Sequence, residues 1–447
     1  MIKQFINSSE NHCFTMERST PKRNPPVVPE KRGDPKGGGK KKVLYPKKTP
    51  SVKKKPKRKP QIKKGVVLIL VACILISVSL LSLDDNLPEL WGGPWEPERA
   101  SFTIERTITI RAERELNFNL TVPIPEDIPG NDLQYVTSID WNQEPDTFEK
   151  YDQEWKSWTD SLSGEEREII ITYNVNTSSV RWGYSRKSSG SVDQFNPYLV
   201  ERYGGNQWQL DQDRNRDGEM DWVIQPEHPE IRSLAEELTR SEVTVYGKAQ
   251  RIYDWIVRNI DYELGASGDL PKHAIWTLQD RRGDCDEQAY LYISLARAVG
   301  IPAWVELGIL YDRPRNVWGG HGWVRLQYVS YDGQSGWVNI DTVNRDFFFR
   351  GATRITTYVD DGNGTHLNDY YHYVTYNFTG GNPGFGISES YSNLEIETEG
   401  RILKTDGYDL PWFGVAEAIP LVGIAVIIHF IKNNKFGKNG LLVENNK

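Results

Sequence analysis

The spacing of apolar and polar residues divides the chain into stretches of distinct period. Two runs are apolar almost throughout: "VVLILVACILISVSLLSL" (Val66 to Leu83) and "WFGVAEAIPLVGIAVIIHFI" (Trp412 to Ile431). The first holds 18 residues without a charge, enough to cross hydrocarbon as a helix. The second contains Glu417 and Pro420, yet Trp412 on one flank and Lys432, Lys435 and Lys438 on the other suit the two interfaces of a bilayer. Transmembrane helices are therefore expected over 65–83 and 411–431. From Phe102 the period becomes two: Leu116, Phe118, Leu120, Val122 and Ile124 alternate with polar residues, and "EIIITYNVNTSSVRW" behaves as a further strand. Residues 101–200 should form an antiparallel β domain of sandwich type.

After Pro229 the period lengthens. Ile231, Leu234, Ala235 and Leu238 share one helical face, and Tyr246, Ala249, Ile252, Tyr253, Ile256, Val257 and Ile260 form a second stripe. A third helix starts at Cys285 and stops at Gly300, which supplies a left-handed cap, with Pro302 just beyond. Strand-like "PAWVELGIL", "HGWVRLQYV" and "GWVNIDTV" follow, the last two separated by a turn in "YDGQSG". Helices followed by an antiparallel sheet define an α+β domain over 225–375. The Pro/Gly-rich stretch 84–100 and the segment 376–410 are expected as linkers.

Charge orients this arrangement. Residues 1–64 hold 20 Lys and Arg against 4 acidic residues, a net of +16, and residues 432–447 carry +3. With −7 overall, the segment between them must carry −26. The basic, disordered N-terminal tail and the short C-terminal tail should both be cytoplasmic, with the acidic middle outside the cell. Glycosylation acceptors at Asn119, Asn176, Asn363 and Asn377 all fall in that middle segment. So acidic a folded mass excludes nucleic acid as the expected partner and leaves membrane lipid as a contact of the anchors. Nothing in the pattern sets an oligomeric state.

This topology singles out one cysteine. Cys13 falls in the tail and Cys73 in the first span, so Cys285 stands alone outside and is expected to form no intramolecular disulfide. Asp284 is a good N-cap, which puts the thiol in the first turn of a helix, where unpaired N–H groups and the dipole favour thiolate. Asp284, Asp286 and Glu287 oppose that ionisation, so an imidazole partner is needed. Of seven histidines, His12 and His429 are removed by topology. His228 and His273 lie in polar loops, and His366 and His372 in a Gly/Asn/Tyr stretch. His321 is left, at the start of a strand and behind Gly319 and Gly320, which let another backbone or a substrate come close. Asp341 ends the next strand, at the same end of the sheet. Counting from the turn, it falls nearer Val324 than His321, so a bulge or longer loop should absorb about three residues. In contact, Asp341 would fix the imidazole tautomer.

Cysteine in "GDCDEQAYLYISLARAVGIPAW", histidine in "HGWVRL" and aspartate in "WVNIDT", spaced by 36 and then 20 residues, together resemble the transglutaminase-like (papain-like cysteine protease) superfamily core over 225–350. The resemblance implies helices packed on an antiparallel sheet, Cys285 as nucleophile, His321 as general base and acid, and Asp341 as the orienting residue, with no cofactor required. Thr342 stands where the family usually has proline. Gln279, six residues before Cys285, has a spacing similar to the oxyanion glutamine of papain-type enzymes, and the Cys285 N–H is the natural oxyanion donor. The expected activity is that of a membrane-anchored extracellular thiol enzyme on protein or peptide amides, a peptidase or amidase rather than a cross-linker. The alternative is a non-catalytic cell-surface binding protein on the same fold. Independently, Asp213, Asn215, Asp217 and Asp221 occupy positions 1, 3, 5 and 9 of a calcium loop within 201–224, with Gly218 at position 6 and Ile224 at position 12. A structural calcium ion is expected there, against the alternative of a solvated acidic turn.

Overall fold

The computed structural model describes residues 95–128, 133–209, 222–265 and 271–404. The two expected spans, both tails and all four calcium-loop residues lie outside these. Among the described residues no helix is long and apolar enough to cross a membrane.

The chain opens with β1 (Trp95–Glu96), β2 (Arg99–Ala112), β3 (Leu116–Pro123) and β4 (Gln134–Trp141). Next come β5 (Asp146–Lys150), β6 (Gln153–Leu162), β7 (Glu165–Ser178) and β8 (Val180–Arg181). In β2 every second residue from Phe102 to Ala112 faces inward, as its period-two pattern requires. Helix α1 (Pro197–Tyr203) and the short pair β9 (Gln207–Gln209) and β10 (Trp222–Ile224) lead into the second half.

That half begins with α2 (Pro229–Thr239), α3 (Val245–Asn259), β11 (Asp261–Tyr262), α4 (Ala274–Asp280), β12 (Arg282–Gly283) and α5 (Cys285–Ala298). Helices α2 and α3 coincide with the two stretches of helical period. Capping fixes where they start: Pro229 opens α2 behind His228, and the Thr244 hydroxyl accepts from Gly247 N at the head of α3. Gly300 takes φ +84° just past α5, the left-handed conformation that its position predicts. Strands β13 (Ala303–Asp312), β14 (Val317–Val329), β15 (Ser335–Asp341), β16 (Asp346–Phe347), β17 (Phe349–Arg350) and β18 (Arg354–Val359) follow. Helix α6 (Gly364–Tyr371), β19 (Val374–Asn377), β20 (Gly386–Glu399) and β21 (Ile402–Leu403) close the described chain.

Three sheets organise the fold. A five-stranded antiparallel sheet has the order β16-β15-β14-β13-β18. Two four-stranded sheets, β20-β2-β7-β4 and β19-β3-β6-β5, turn their inner residues into one core: Phe102, Ile104 and Ile171 from the first, Leu116, Phe118 and Trp158 from the second. Helices α2 to α5 cover one face of the five-stranded sheet, with α5 at the centre and nearly all its residues buried. On the sheet's other face Ile309, Trp318 and Ile355 join the core of the two four-stranded sheets.

Both expected linkers need correction. Residues 84–100 contain β1 and the start of β2, and residues 376–410 contain the second half of β19 and all of β20 and β21. β20 is an edge strand with only Ile387 buried, so "SESYSNLEIETE" carries no more than a short alternation, Leu394 and Ile396 among glutamates. It is a strand because it pairs with β2 from Arg99↔Glu399 to Arg111↔Gly386. The pairing is anchored by the buried Arg106–Glu389 ion pair at 3.0 Å.

Between the helical layer and the β sheets lies a buried carboxylate, Glu306 of β13. Arg325 Nε is 2.9 Å from it, Arg350 Nη1 2.7 Å and Asn339 Nδ2 2.8 Å. Burial pushes this carboxyl up, but Arg325 and Arg350 together hold it well below the usual range. Removing one member of such a cluster leaves uncompensated buried charge. Glu306→Ala should therefore lower the unfolding free energy of the full-length protein by about 3–5 kcal/mol, measured by urea denaturation. A change below about 1 kcal/mol would show that the two arginines find other partners.

Candidate active site

Local rules place the cysteine. α4 ends at Arg281 in a left-handed conformation (φ 59°), and β12 then runs parallel to β11 before α5 begins. Asp284 caps the helix: its Oδ1 accepts from Asp286 N at 3.2 Å, and Glu287 Oε2 reciprocally accepts from Asp284 N at 2.6 Å. Gly283 permits this turn, since a Cβ there would come within 2.8 Å of Glu287 Cβ. Cys285 is thus the first helical residue, only 4% exposed. Burial, with Glu287 beside it, pushes the Asp284 carboxyl far up, so the cap itself is a weaker opponent of the thiolate than its formal charge suggests.

The other two cysteines, Cys13 and Cys73, lie outside the described residues, and with them the expectation that Cys285 makes no intramolecular disulfide. Asp286 Oδ1 lies 3.3 Å from the Cys285 sulfur. In the thiol form Cys285 Sγ donates to that oxygen.

His321 lies opposite Gly308 in the β13·β14 pairing. The β14·β15 register runs without a shift to Val324↔Ile340, so its next step sets Asp341 opposite Trp323, two residues from His321 on the same face. No bulge is needed, contrary to expectation, because diagonal neighbours across a ladder are within side-chain reach. His321 Nε2 and Asp341 Oδ2 are 2.7 Å apart, both buried. The same oxygen is 2.8 Å from Arg354 Nη2 of β18 and 2.9 Å from Asn344 Nδ2, while Asn344 N donates to Asp341 Oδ1 at 2.9 Å. Burial works against the Asp341 carboxylate, but His321 and Arg354 hold it far below the usual range. A charged carboxylate facing Nε2 assigns the proton to that nitrogen and leaves Nδ1 as the nitrogen that can take a proton from sulfur.

Gly322 brings the two halves together. A Cβ at this position would lie 2.5 Å from Asp286 Oδ1 and 3.0 Å from Leu307 Cδ2, so its absence lets the first turn of α5 seat on β14 beside His321. Gly320, by contrast, has nothing within 4 Å of such a Cβ. Of the two glycines around His321, Gly322 and not Gly320 makes a close approach. Thr342 Oγ1 donates to Gln288 Oε1 at 3.2 Å, and Gln288 Nε2 to Gly283 O at 3.1 Å, tying the loop after Asp341 to the cysteine helix. The residue that departs from the proline pattern thus supplies a bond that proline could not.

Asp286 has a second partner, Tyr371 of α6, whose hydroxyl donates to Oδ2 at 2.5 Å and lies 2.7 Å from the Tyr290 hydroxyl. Gln279 is placed elsewhere: it is exposed near the end of α4, where Nε2 donates to Glu230 Oε1 at 3.1 Å. Of the other histidines, His228 caps α2, His366 pairs with Asp361 at 2.8 Å, and His273 is buried ahead of α4. Asn344, Arg354 and Tyr371 were missed from the sequence. A charged residue heading the strand "RITTYV" is a usable signal for Arg354; nothing local marks Tyr371. Among the described residues no three His, Cys, Asp or Glu side chains converge as a metal site.

Residues 232–342 match the family described as the transglutaminase-like superfamily. This segment is a transglutaminase-like core domain, with Cys285, His321 and Asp341 all inside it. No curated protein matches the chain significantly. Among solved structures, a protein from Cytophaga hutchinsonii provisionally assigned as a cysteine protease shares 16% identity, with TM-score 0.45, 70% of this chain and 94% of that one covered. The periplasmic domain of TgpA from Pseudomonas aeruginosa shares 15% identity, with TM-score 0.27, 56% of this chain and 88% of that one covered.

The depressed carboxyl of Asp341 has a pH consequence. A carboxylate held below its unfolded value stabilises the fold above about pH 4 and loses that contribution as pH falls toward its folded value. The stability of the wild type should therefore drop more steeply below about pH 4 than that of Asp341→Asn, although the variant starts lower because Arg354 loses a partner. Parallel stability–pH curves would show that Asp341 is not the carboxylate responsible.

Proposed function

We propose that the chain is a membrane-anchored thiol enzyme that works outside the cell and cleaves protein or peptide amides through Cys285, His321 and Asp341. The observation that carries this reading is the buried 2.7 Å His321–Asp341 pair on the strand where Gly322 seats the first turn of the cysteine helix. In the reduced enzyme, His321 Nδ1 takes the Cys285 proton while Asp341 steadies the imidazolium through Nε2. The thiolate attacks the amide carbonyl, and the developing oxyanion is met by the Cys285 N–H at the start of α5. The imidazolium returns the proton to the leaving amine, giving a thioester that water then resolves. Gln279, turned toward Glu230, has no part in this scheme. Water rather than a lysine amine as acceptor follows the family resemblance of the short core.

The anchoring has support in the pairing of β1 with β21, which makes the chain enter and leave the described fold on adjacent strands, as two neighbouring anchors require. A structural calcium ion at Asp213, Asn215, Asp217 and Asp221 belongs to the same proposal and enters no chemical step. It predicts a melting temperature higher in millimolar calcium than in chelator, with magnesium less effective; identical melting in all three reduces the loop to a solvated turn.

The catalytic reading is tested on reduced full-length protein with a thiol-reactive peptide electrophile, followed by mass spectrometry. Cys285 should be labelled faster than in denatured protein, and His321→Ala should slow that labelling by about 100-fold. Cys285→Ser should abolish turnover with little loss of stability, since serine suits a first helical turn. Equal labelling of native and denatured protein would favour the non-catalytic binding protein. Capture of an added amine in preference to water would favour the cross-linker.

A further inference from the structure

Asp286 is the carboxylate next to the reactive sulfur, and the scheme above does not use it. It is not a solvated helix-face charge. Its Oδ1 lies 3.3 Å from Cys285 Sγ, its Oδ2 accepts the Tyr371 hydroxyl at 2.5 Å, and the backbone of β14 at Gly322 is packed against it. Tyr371 is fixed in turn by the Tyr290 hydroxyl at 2.7 Å and by its stacking on Trp208, with ring centroids 4.8 Å apart. α6 is fastened from the β domain as well, where Lys150 Nζ lies 2.6 Å from Asp369 and the Tyr151 hydroxyl also donates to that carboxylate. Asp286 therefore has one defined place, with each oxygen assigned.

We propose that Asp286 is a positioning residue whose carboxylate, held by the Tyr371 hydroxyl, sets the ionisation of the Cys285 sulfur in the reduced enzyme. This deepens the thiol-enzyme reading and rests on it. The groups that face Asp286 are its neighbours Asp284, Glu287 and Tyr290 on α5 and its cap, His321 on β14, and Tyr370 and Tyr371 on α6. Burial pushes the Asp286 carboxyl up to about 6 and Glu287 adds to this, against the Tyr371 hydrogen bond and the charge of His321. Near neutral pH it is thus mostly a carboxylate, and a negative charge at this distance favours S–H over S⁻. It opposes the helix dipole and the imidazole, so that the thiol keeps its proton until His321 removes it.

The sign follows for two substitutions. Asp286→Asn removes the charge, so the thiolate should form at lower pH. Tyr371→Phe removes the hydroxyl that stabilises the carboxylate, so Asp286 is neutral over a wider range and the thiolate again forms at lower pH. The test is the rate of iodoacetamide alkylation of Cys285 against pH, in reduced full-length protein, with the site read by peptide mass spectrometry. Asp286→Asn should move the midpoint down by about one pH unit or more. Tyr371→Phe should move it the same way by less, and the double variant no further than Asp286→Asn alone. Midpoints that are unchanged, or shifted upward, in both single variants overturn the proposal, even if turnover falls, because a purely structural role moves stability and rate but not the midpoint. Tyr371→Phe preserves the ring and its stacking, so the test survives if Asp286→Asn folds poorly. The midpoint reports sulfur ionisation whether or not the enzyme turns over, so failure here is distinct from failure of the catalytic reading.

Discussion

A carboxylate buried as completely as Asp341 would ordinarily neutralise, and its charge persists because His321 and Arg354 both face it, Arg354 lying 2.8 Å from the oxygen that His321 also meets. The arginine is buried too and is shared: Asp346, paired with Asp341 across β15 and β16, also binds it, and Lys404 approaches Asp346 at 3.5 Å and Glu96 at 3.1 Å. Alternating charges thus run from β1 and β21 to the imidazole. Each member is tolerable in a dry interior only because the next one is present. His321 owes its tautomer to this chain, and any account of the imidazole has to include residues outside the 232–342 segment that matches the superfamily.

The second constraint is steric. The helix that bears Cys285 lies close to His321 only because β14 has no side chain at Gly322. Asp284 and Glu287 lock the first turn from one side, and Thr342 and Gln288 lock it to the loop that follows Asp341. Cysteine, histidine and aspartate come from three elements, and these few contacts make their mutual placement a property of one rigid cluster.

The β sheets contribute to the same cluster. Ile309, Trp318 and Ile355 of the five-stranded sheet are buried in their core. At the β5–β6 turn, Tyr151 and Asp152 are both left-handed (φ 61° and 59°), which directs Lys150 and Tyr151 onto Asp369 of α6. His366 of the same helix stacks on Tyr151 with ring centroids 3.4 Å apart. Helix α6 is therefore held by the β sheets through His366 and Asp369, and its last residue, Tyr371, meets Asp286. The β domain acts as a support for the site as well as a neighbour to it.

What the amino-acid order determined by itself was local. The periods of α2, α3 and β2, the cap at Asp284, the left-handed Gly300 and the presence of His321 and Asp341 on consecutive strands all follow from rules that act over a few residues. Those rules carry no information about partners distant in sequence. β20 could not be read because an exposed edge strand needs no apolar alternation, and its identity comes from β2, nearly 300 residues earlier. Arg354 and Tyr371 join the site through packing of β18 and α6 that no local pattern encodes. The bulge expected between His321 and Asp341 is unnecessary because side chains reach diagonally across the ladder. Only the tertiary structure decided that Gly322 rather than Gly320 takes the close approach and that Asp286 is an interior carboxylate, because each depends on which surfaces meet once the chain has folded.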